Sequence, residues 1–143
     1  MSRDISDLEP RTRELCQKFL QACGDNGSPV ILVQTWRSFE EQEALYAKGR
    51  TRPGPIVTWA RAGQSWHNYR RAFDVCFLKN GTDLSWSGPW EQIGQIGREL
   101  GLLWGGDWSP GKQDRPHFEY HPDLTLEQAR NQSLIPKVRE FMG

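Results

Sequence analysis

The sequence predicts an α+β fold, a small, mainly antiparallel sheet flanked by helices, in a single domain spanning residues 1–143. Three observations predict it. Two stretches with helical periodicity, 9–23 and 89–100, are interleaved with short apolar or alternating runs at 30–33, 71–78 and 115–120. Gly, Pro and Asn-Gly signals punctuate the gaps between them. A chain of 143 residues is long enough for one domain with a real core and too short for two comfortable ones.

The first helix runs from about Glu9 to Cys23, with Leu15, Cys16, Phe19, Leu20 and Cys23 on one stripe and Gly24 as its stop. Val30-Ile31-Leu32-Val33 is a continuous apolar run, read as a buried strand that delivers Arg37 just beyond its end. Ser38 and Glu41 have capping-box spacing, which predicts a helix from Phe39 to about Lys48. Residues 50–64 have two prolines and little periodicity, the pattern of a long functional or mobile loop. In Arg71–Leu78, strand alternation puts Phe73, Val75 and Phe77 on one face and Ala72, Asp74 and Cys76 on the other. Asn80-Gly81 is a turn. The helix at 89–100 turns Trp90, Ile93, Ile96 and Leu100 inward, and short strands follow at Leu102–Trp104 and Arg115–Tyr120. Thr125 and Gln128 begin a short helix, and Val138 and Phe141 a last helical turn.

Composition excludes several classes. Eighteen basic residues balance eighteen acidic ones, so charge gives no case for a nucleic-acid or membrane partner. No apolar run approaches membrane-spanning length, and the polar, acidic start is not a secretory signal. Cys16 and Cys23 lie about 10.5 Å apart along a helix, too far to bridge. All three cysteines, with Cys76, read as small core residues that fit a reducing cytoplasm. Seven tryptophans read mainly as packing; Trp66 and Trp108 are equally candidates to line a groove.

The chemistry gathers in two motifs. A carboxylate in the middle of an apolar strand, Asp74, is costly to bury without a cation. His67 stands seven residues before it, and His117 lies in Asp114-Arg115-Pro116-His117-Phe118-Glu119. Two imidazoles and one carboxylate suit zinc and leave a fourth position open for water. Cobalt or manganese suits the same donors. Asp114, three residues before His117, is the candidate general base and proton donor. Arg37 is the candidate to steady an oxyanion or a substrate carboxylate. Glu119 either competes with Asp114 for the base or orients His117 from behind. His121 reads as a surface residue or one that touches the site from outside, since Pro122 argues against a helix joining it to His117. Asp107 reads equally as a turn residue.

Ser65-x-His67-x6-Asp74 followed by Asp114-x-x-His117 resembles the M15 peptidases. Trp104-Gly105-Gly106-Asp107-Trp108 ahead of Pro116-His117-Phe118-Glu119 is most similar to their L-alanyl-D-glutamate type, found in phage endolysins and bacterial autolysins. Arg37-Ser38 with Gln42, Leu45 and Tyr46 resembles the family's upstream arginine motif. The similarity runs from about Val30 to Tyr120. It differs in having Asp114 where many relatives have Glu, and Arg71 where the family often has Gly.

The resemblance implies a hedgehog/DD-peptidase-like fold, zinc held by His67, Asp74 and His117, Asp114 as the catalytic acid/base, and Arg37 as the transition-state or substrate arginine. It also implies that Ser65 is a substrate-contacting hydroxyl. The expected enzyme is a zinc peptidase acting on the stem peptide of bacterial peptidoglycan at the L-Ala–D-Glu bond, as a monomer without nucleic-acid or membrane partners. Without a signal it resembles an endolysin that waits in the host cytoplasm for release to the cell wall. A D-Ala-D-Ala carboxypeptidase or dipeptidase, and a metal-stabilised wall-binding module, are the alternatives.

Overall fold

The computed structural model describes residues 1–133; the helical turn expected around Val138 and Phe141 lies outside the described residues. Helix α1 covers Pro10–Asp25. Glu9 caps it by accepting from the backbone N–H groups of Arg11 and Thr12, and Pro10 occupies the first turn, where a missing N–H costs nothing. The expected stop at Gly24 falls later. The helix runs through Gly24, and Gly27, at φ 81°, takes the left-handed turn that ends it. Leu15, Cys16, Phe19 and Cys23 are buried, whereas Leu20 is only partly so.

Five strands form one sheet in the order β1-β2-β5-β4, with β3 also paired to β2 and every strand pair antiparallel. Their ranges are β1 Val30–Gln34, β2 Ala72–Lys79, β3 Asp83–Ser85, β4 Leu103–Trp104 and β5 His117–Glu119. Only Val30 of β1 is buried; Leu32 packs partly buried against the core and Ile31 is exposed, because β1 is an edge strand, so the buried strand expected there forms only in part. The strand expected over Arg115–Tyr120 shrinks to three residues, since Pro116 has no N–H to give a ladder. At the far end of β2, Asn80 and Gly81 both have positive φ, 53° and 72°, and the chain reverses within the three residues between Lys79 and its partner Asp83, a hairpin. That hairpin creates β3, which the sequence reading left out.

Helix α2, Phe39–Ala47, starts at a complete capping box in which Ser38 and Glu41 bond each other's backbone N–H groups. Helix α3 is Trp90–Glu99. Thr125 and Gln128 exchange the same kind of capping contacts ahead of a helical stretch at 126–133. No helix among the described residues is long and apolar enough to cross a membrane.

The core lies between α1, α3 and one face of the sheet. Phe73, Val75 and Phe77 all point into it, as the alternation predicts. The Phe19 and Phe118 rings meet with centroids 4.4 Å apart. Helix α3 approaches through glycines as well as through Trp90 and Ile93. A Cβ on Gly97 would lie 2.6 Å from the Phe118 ring, and one on Gly94 would lie 2.5 Å from the Trp104 ring. Core packing on this face leaves Asp74 and its register partner His117 on the other.

Candidate active site

Strand register places two of the candidate ligands. Asp74 on β2 and His117 on β5 are direct antiparallel partners. The third, His67, sits on a 3-10 turn, Trp66–Tyr69, immediately before β2. Ser65 caps this turn, its Oγ accepting from the His67 N–H at 3.2 Å. Asn68 braces it further: its Oδ1 accepts from the N–H groups of Gly63 and Ser65, and its Nδ2 donates to the Arg37 carbonyl. Arg70 then leaves the turn in the left-handed region, at φ 64°. Arg71, where the family often has glycine, does not need that conformation, and its guanidinium pairs with Asp123 at 2.8 Å.

The three side chains converge. His67 Nε2 and His117 Nδ1 each lie 3.1 Å from Asp74 Oδ1, and one ligand atom from each residue falls within 4.8 Å of the others. The outer ring nitrogens are already committed: His67 Nδ1 to the Thr35 carbonyl at 2.8 Å, and His117 Nε2 to Glu119 Oε1 at 2.7 Å. Both partners are acceptors, so both outer nitrogens carry protons. A neutral imidazole then turns a bare lone pair inward, and two such lone pairs would face an ionised carboxylate. A cation resolves that arrangement, either a proton on the ring or a metal ion that displaces it, and two nitrogens with one oxygen are a donor set that zinc accepts with a position to spare. The residues present therefore fit a metal ion.

Electrostatics agree with the geometry. Burial works against charge on Asp74, yet His67 and His117 hold its carboxyl well below the usual range. Burial also opposes charge on His117, but the carboxylates of Asp74 and Glu119 outweigh it and keep its pKa at about 10. Glu119 is buried too, and its bonds to His117 and His121 hold it down at about 2. With both oxygens engaged by those two rings, Glu119 backs the ligand set and is not free to serve as a base.

Asp114 stands beside the cluster. Burial, and then the charge of Asp74, raise its pKa, while His117, His67 and Arg37 pull the other way. Its backbone is held by Gly105, whose carbonyl accepts from the Asp114 N–H at 3.0 Å. A Cβ on Gly105 would lie 2.2 Å from the Asp114 carbonyl oxygen, so only glycine permits this approach.

Arg37 is 8% exposed and donates from Nη1 to Gln42 Oε1 at 2.9 Å and from Nη2 to Gln34 Oε1. Its Nε has no partner among the described residues. Burial lowers its pKa against the opposing charges of Asp74 and Asp114, which places the guanidinium in the field of the same cluster.

Other candidates fall outside this group. Asp107 pairs with Arg98 on α3, which makes it a surface anchor. Trp66 is buried and packs, whereas the partly exposed Trp108 ring lies 5.0 Å from the His117 ring, at the rim of the site. Sequence reasoning did not single out Thr35, which acts through its carbonyl, or Asn68. Gln42 entered only through a motif, yet it is fully buried, receives Arg37 and donates to the Ala60 carbonyl at 2.8 Å. Its place four residues after the cap Ser38 was the only mark it carried in the sequence, and that position does not reveal burial.

Comparison with known proteins follows the same lines. Residues 59–120 match a family model of M15 peptidases described as D-alanyl-D-alanine carboxypeptidase. The chain is 37% identical over 128 residues to the peptidoglycan L-alanyl-D-glutamate endopeptidase CwlK of Bacillus subtilis (strain 168), covering 82% of this chain and 76% of that protein. The chain belongs to the M15 peptidase family. As a member it is a metallopeptidase, with His67, Asp74 and His117 forming the metal site. This M15 peptidase is also 27% identical over 122 residues to the L-alanyl-D-glutamate peptidase of Listeria phage A118, covering 82% of this chain but only 40% of the phage protein. Its fold matches a mutant of the vancomycin-resistance D,D-pentapeptidase VanY solved with Zn(II). The TM-score is 0.55 at 16% identity, over 87% of this chain and 76% of that one.

Proposed function

We propose that this M15 metallopeptidase is a zinc enzyme that hydrolyses the L-Ala–D-Glu bond in the stem peptide of bacterial peptidoglycan, and that it serves as a phage endolysin. The observation that carries the hydrolytic reading is the convergence of His67 Nε2, Asp74 Oδ1 and His117 Nδ1 with Asp114 and Arg37 beside them. The bond is the one named for the Bacillus and Listeria phage relatives, and the endolysin role rests on the phage relative.

His67, Asp74 and His117 would hold the zinc, which when bound would supply Lewis-acid chemistry toward water and a carbonyl. The protein's own groups then divide the work. Asp114 takes the proton of the attacking water and returns it to the leaving amine, a carboxylate role that needs it ionised at the start. Arg37, in the field of Asp74 and Asp114, donates to the oxygen on which negative charge develops, or to a substrate carboxylate. The Ser65 hydroxyl oxygen is used in capping, which leaves its hydrogen to donate to the peptide.

The family model's description favours a second reading, a D-Ala-D-Ala carboxypeptidase. Mass spectrometry of fragments released from purified peptidoglycan separates the two. New peptides with N-terminal D-Glu, lost with a chelator and restored by zinc, are the expected result. Free D-Ala would move the assignment to the carboxypeptidase.

A further inference from the structure

Behind the ligands lies a group of side chains that the hydrolytic steps do not use. Glu119 is buried, and its two oxygens go to two different rings: Oε1 to His117 and Oε2 to His121 Nε2. The His121 ring lies flat on Trp66, with centroids 4.0 Å apart and planes 5° apart. Trp66 opens the 3-10 turn on which the next residue, His67, is presented. His121 therefore reaches both limbs of the ligand set. One contact runs through Glu119 to the strand-borne His117, the other through Trp66 to the turn-borne His67.

We propose that His121 is a positioning residue for the metal centre, a clamp that sets His67 and His117 relative to each other by bonding Glu119 and stacking on Trp66. The physical need for it is specific. A carboxylate behind a ligating histidine fixes the ring's rotation and tautomer, but only if the carboxylate is itself held. Glu119 has three rotatable bonds, and it is a buried residue, where an unmet acceptor is costly. His121 Nε2 meets that oxygen and stops Glu119 from swinging. The stack supplies the other half: His67 lies on a short turn rather than a strand, so its position depends on what packs against that turn. His121 is not a ligand in its own right, because the nitrogen facing the site is taken by Glu119.

The inference rests on the metal-site reading and is independent of which bond the enzyme cuts. Three variants test it by zinc competition against a chromophoric chelator at fixed pH, with the visible spectrum of the cobalt(II)-substituted protein beside it. His121→Ala removes both contacts and should weaken zinc binding about tenfold, the lower end of the effect of partners behind metal ligands, and shift the cobalt bands. His121→Phe keeps the stack, and His121→Gln keeps a donor for Glu119; each should fall between wild type and His121→Ala. These two also keep the test alive if the alanine variant fails to fold. Wild-type zinc affinity and cobalt spectrum in all three variants would overturn the proposal. So would a lowered melting temperature of the metal-free protein with zinc affinity unchanged, which would reduce His121 to packing. A wild-type protein that binds no zinc at all would overturn the metal reading beneath it, and is a distinguishable result.

Discussion

At the residue scale, a proton and a metal ion compete for one place. Without metal, His117 is held protonated to about pH 10 between Asp74 and Glu119. Zinc must displace that proton, so affinity should rise roughly tenfold per pH unit for each proton released as pH climbs toward 10. Calorimetric titrations in two buffers of different ionisation enthalpy count the protons; a pH-independent affinity would contradict the assignment. The sign for stability follows from the same groups. The raised pKa of His117 stabilises the metal-free fold fully below its ordinary 6.5, and that contribution is lost as pH rises through about 10. The lowered pKa of Glu119 stabilises it above its ordinary 4.5, and that is lost as pH falls toward about 2. Metal-free protein should therefore melt highest between about pH 4.5 and 6.5, a window a pH series of thermal melts would locate. Asp114→Asn, by contrast, should keep zinc while cutting turnover by about 10²–10⁴-fold, the usual worth of a general acid–base. Equal losses of zinc and activity would recast Asp114 as part of the metal site. His67, Asp74 and His117 were legible because carboxylate and imidazoles in two separate motifs have few other uses. Thr35 was not, since a carbonyl that orients a ring has no side-chain signature.

At the scale of elements, local rules worked wherever local chemistry decides. Both capping boxes and the alternation of β2 could be read directly, because those patterns name their own bonding partners. Boundaries moved where tertiary contact decides. Strand β5 lost residues to Pro116, and β3 exists only because the Asn80-Gly81 turn folds back on β2. The 3-10 turn carrying His67 was invisible because four residues hold no periodicity. Helix α3 holds a testable case of contact overriding propensity. Alanine in place of Gly97 should gain about 1 kcal/mol of helix preference and lose roughly 1–3 kcal/mol to overpacking against Phe118. The net expectation is a lower melting temperature, measurable by calorimetry. The same push on β5 should weaken zinc binding, since Phe118 sits between His117 and Glu119. An alanine variant that melts higher and binds zinc normally would mean the helix can slide. Gly105→Ala should lower both turnover and zinc affinity, because its Cβ would lie 2.2 Å from the Asp114 carbonyl oxygen and 3.1 Å from the His117 Cβ; wild-type values of both would mean that the loop carrying Asp114 yields freely.

Across the whole molecule, the core and the site occupy opposite faces of one sheet, and the two behave differently toward reagents. Cys16 and Cys23 lie in the core, where burial pushes the Cys23 thiol up to about 12 and that of Cys16 higher still. Neither should react with alkylating reagents in native protein at neutral pH, and both should react once it is unfolded, as intact-mass measurements would report. A chelator should act on the other face, lowering the melting temperature without touching the core. At a thousandfold excess over its dissociation constant, zinc should contribute about 4 kcal/mol, provided it binds only the folded chain. The ligands come from a turn and two strands separated along the chain, His67 and Asp74 on one side and His117 far beyond them. An ion that ties them together acts as a reversible cross-link across the intervening chain. Proteases that cut only opened chains would then find loaded protein scarce and stripped protein abundant. Metal supply would thereby set how long each molecule survives, and so how much enzyme is present, as well as whether it works.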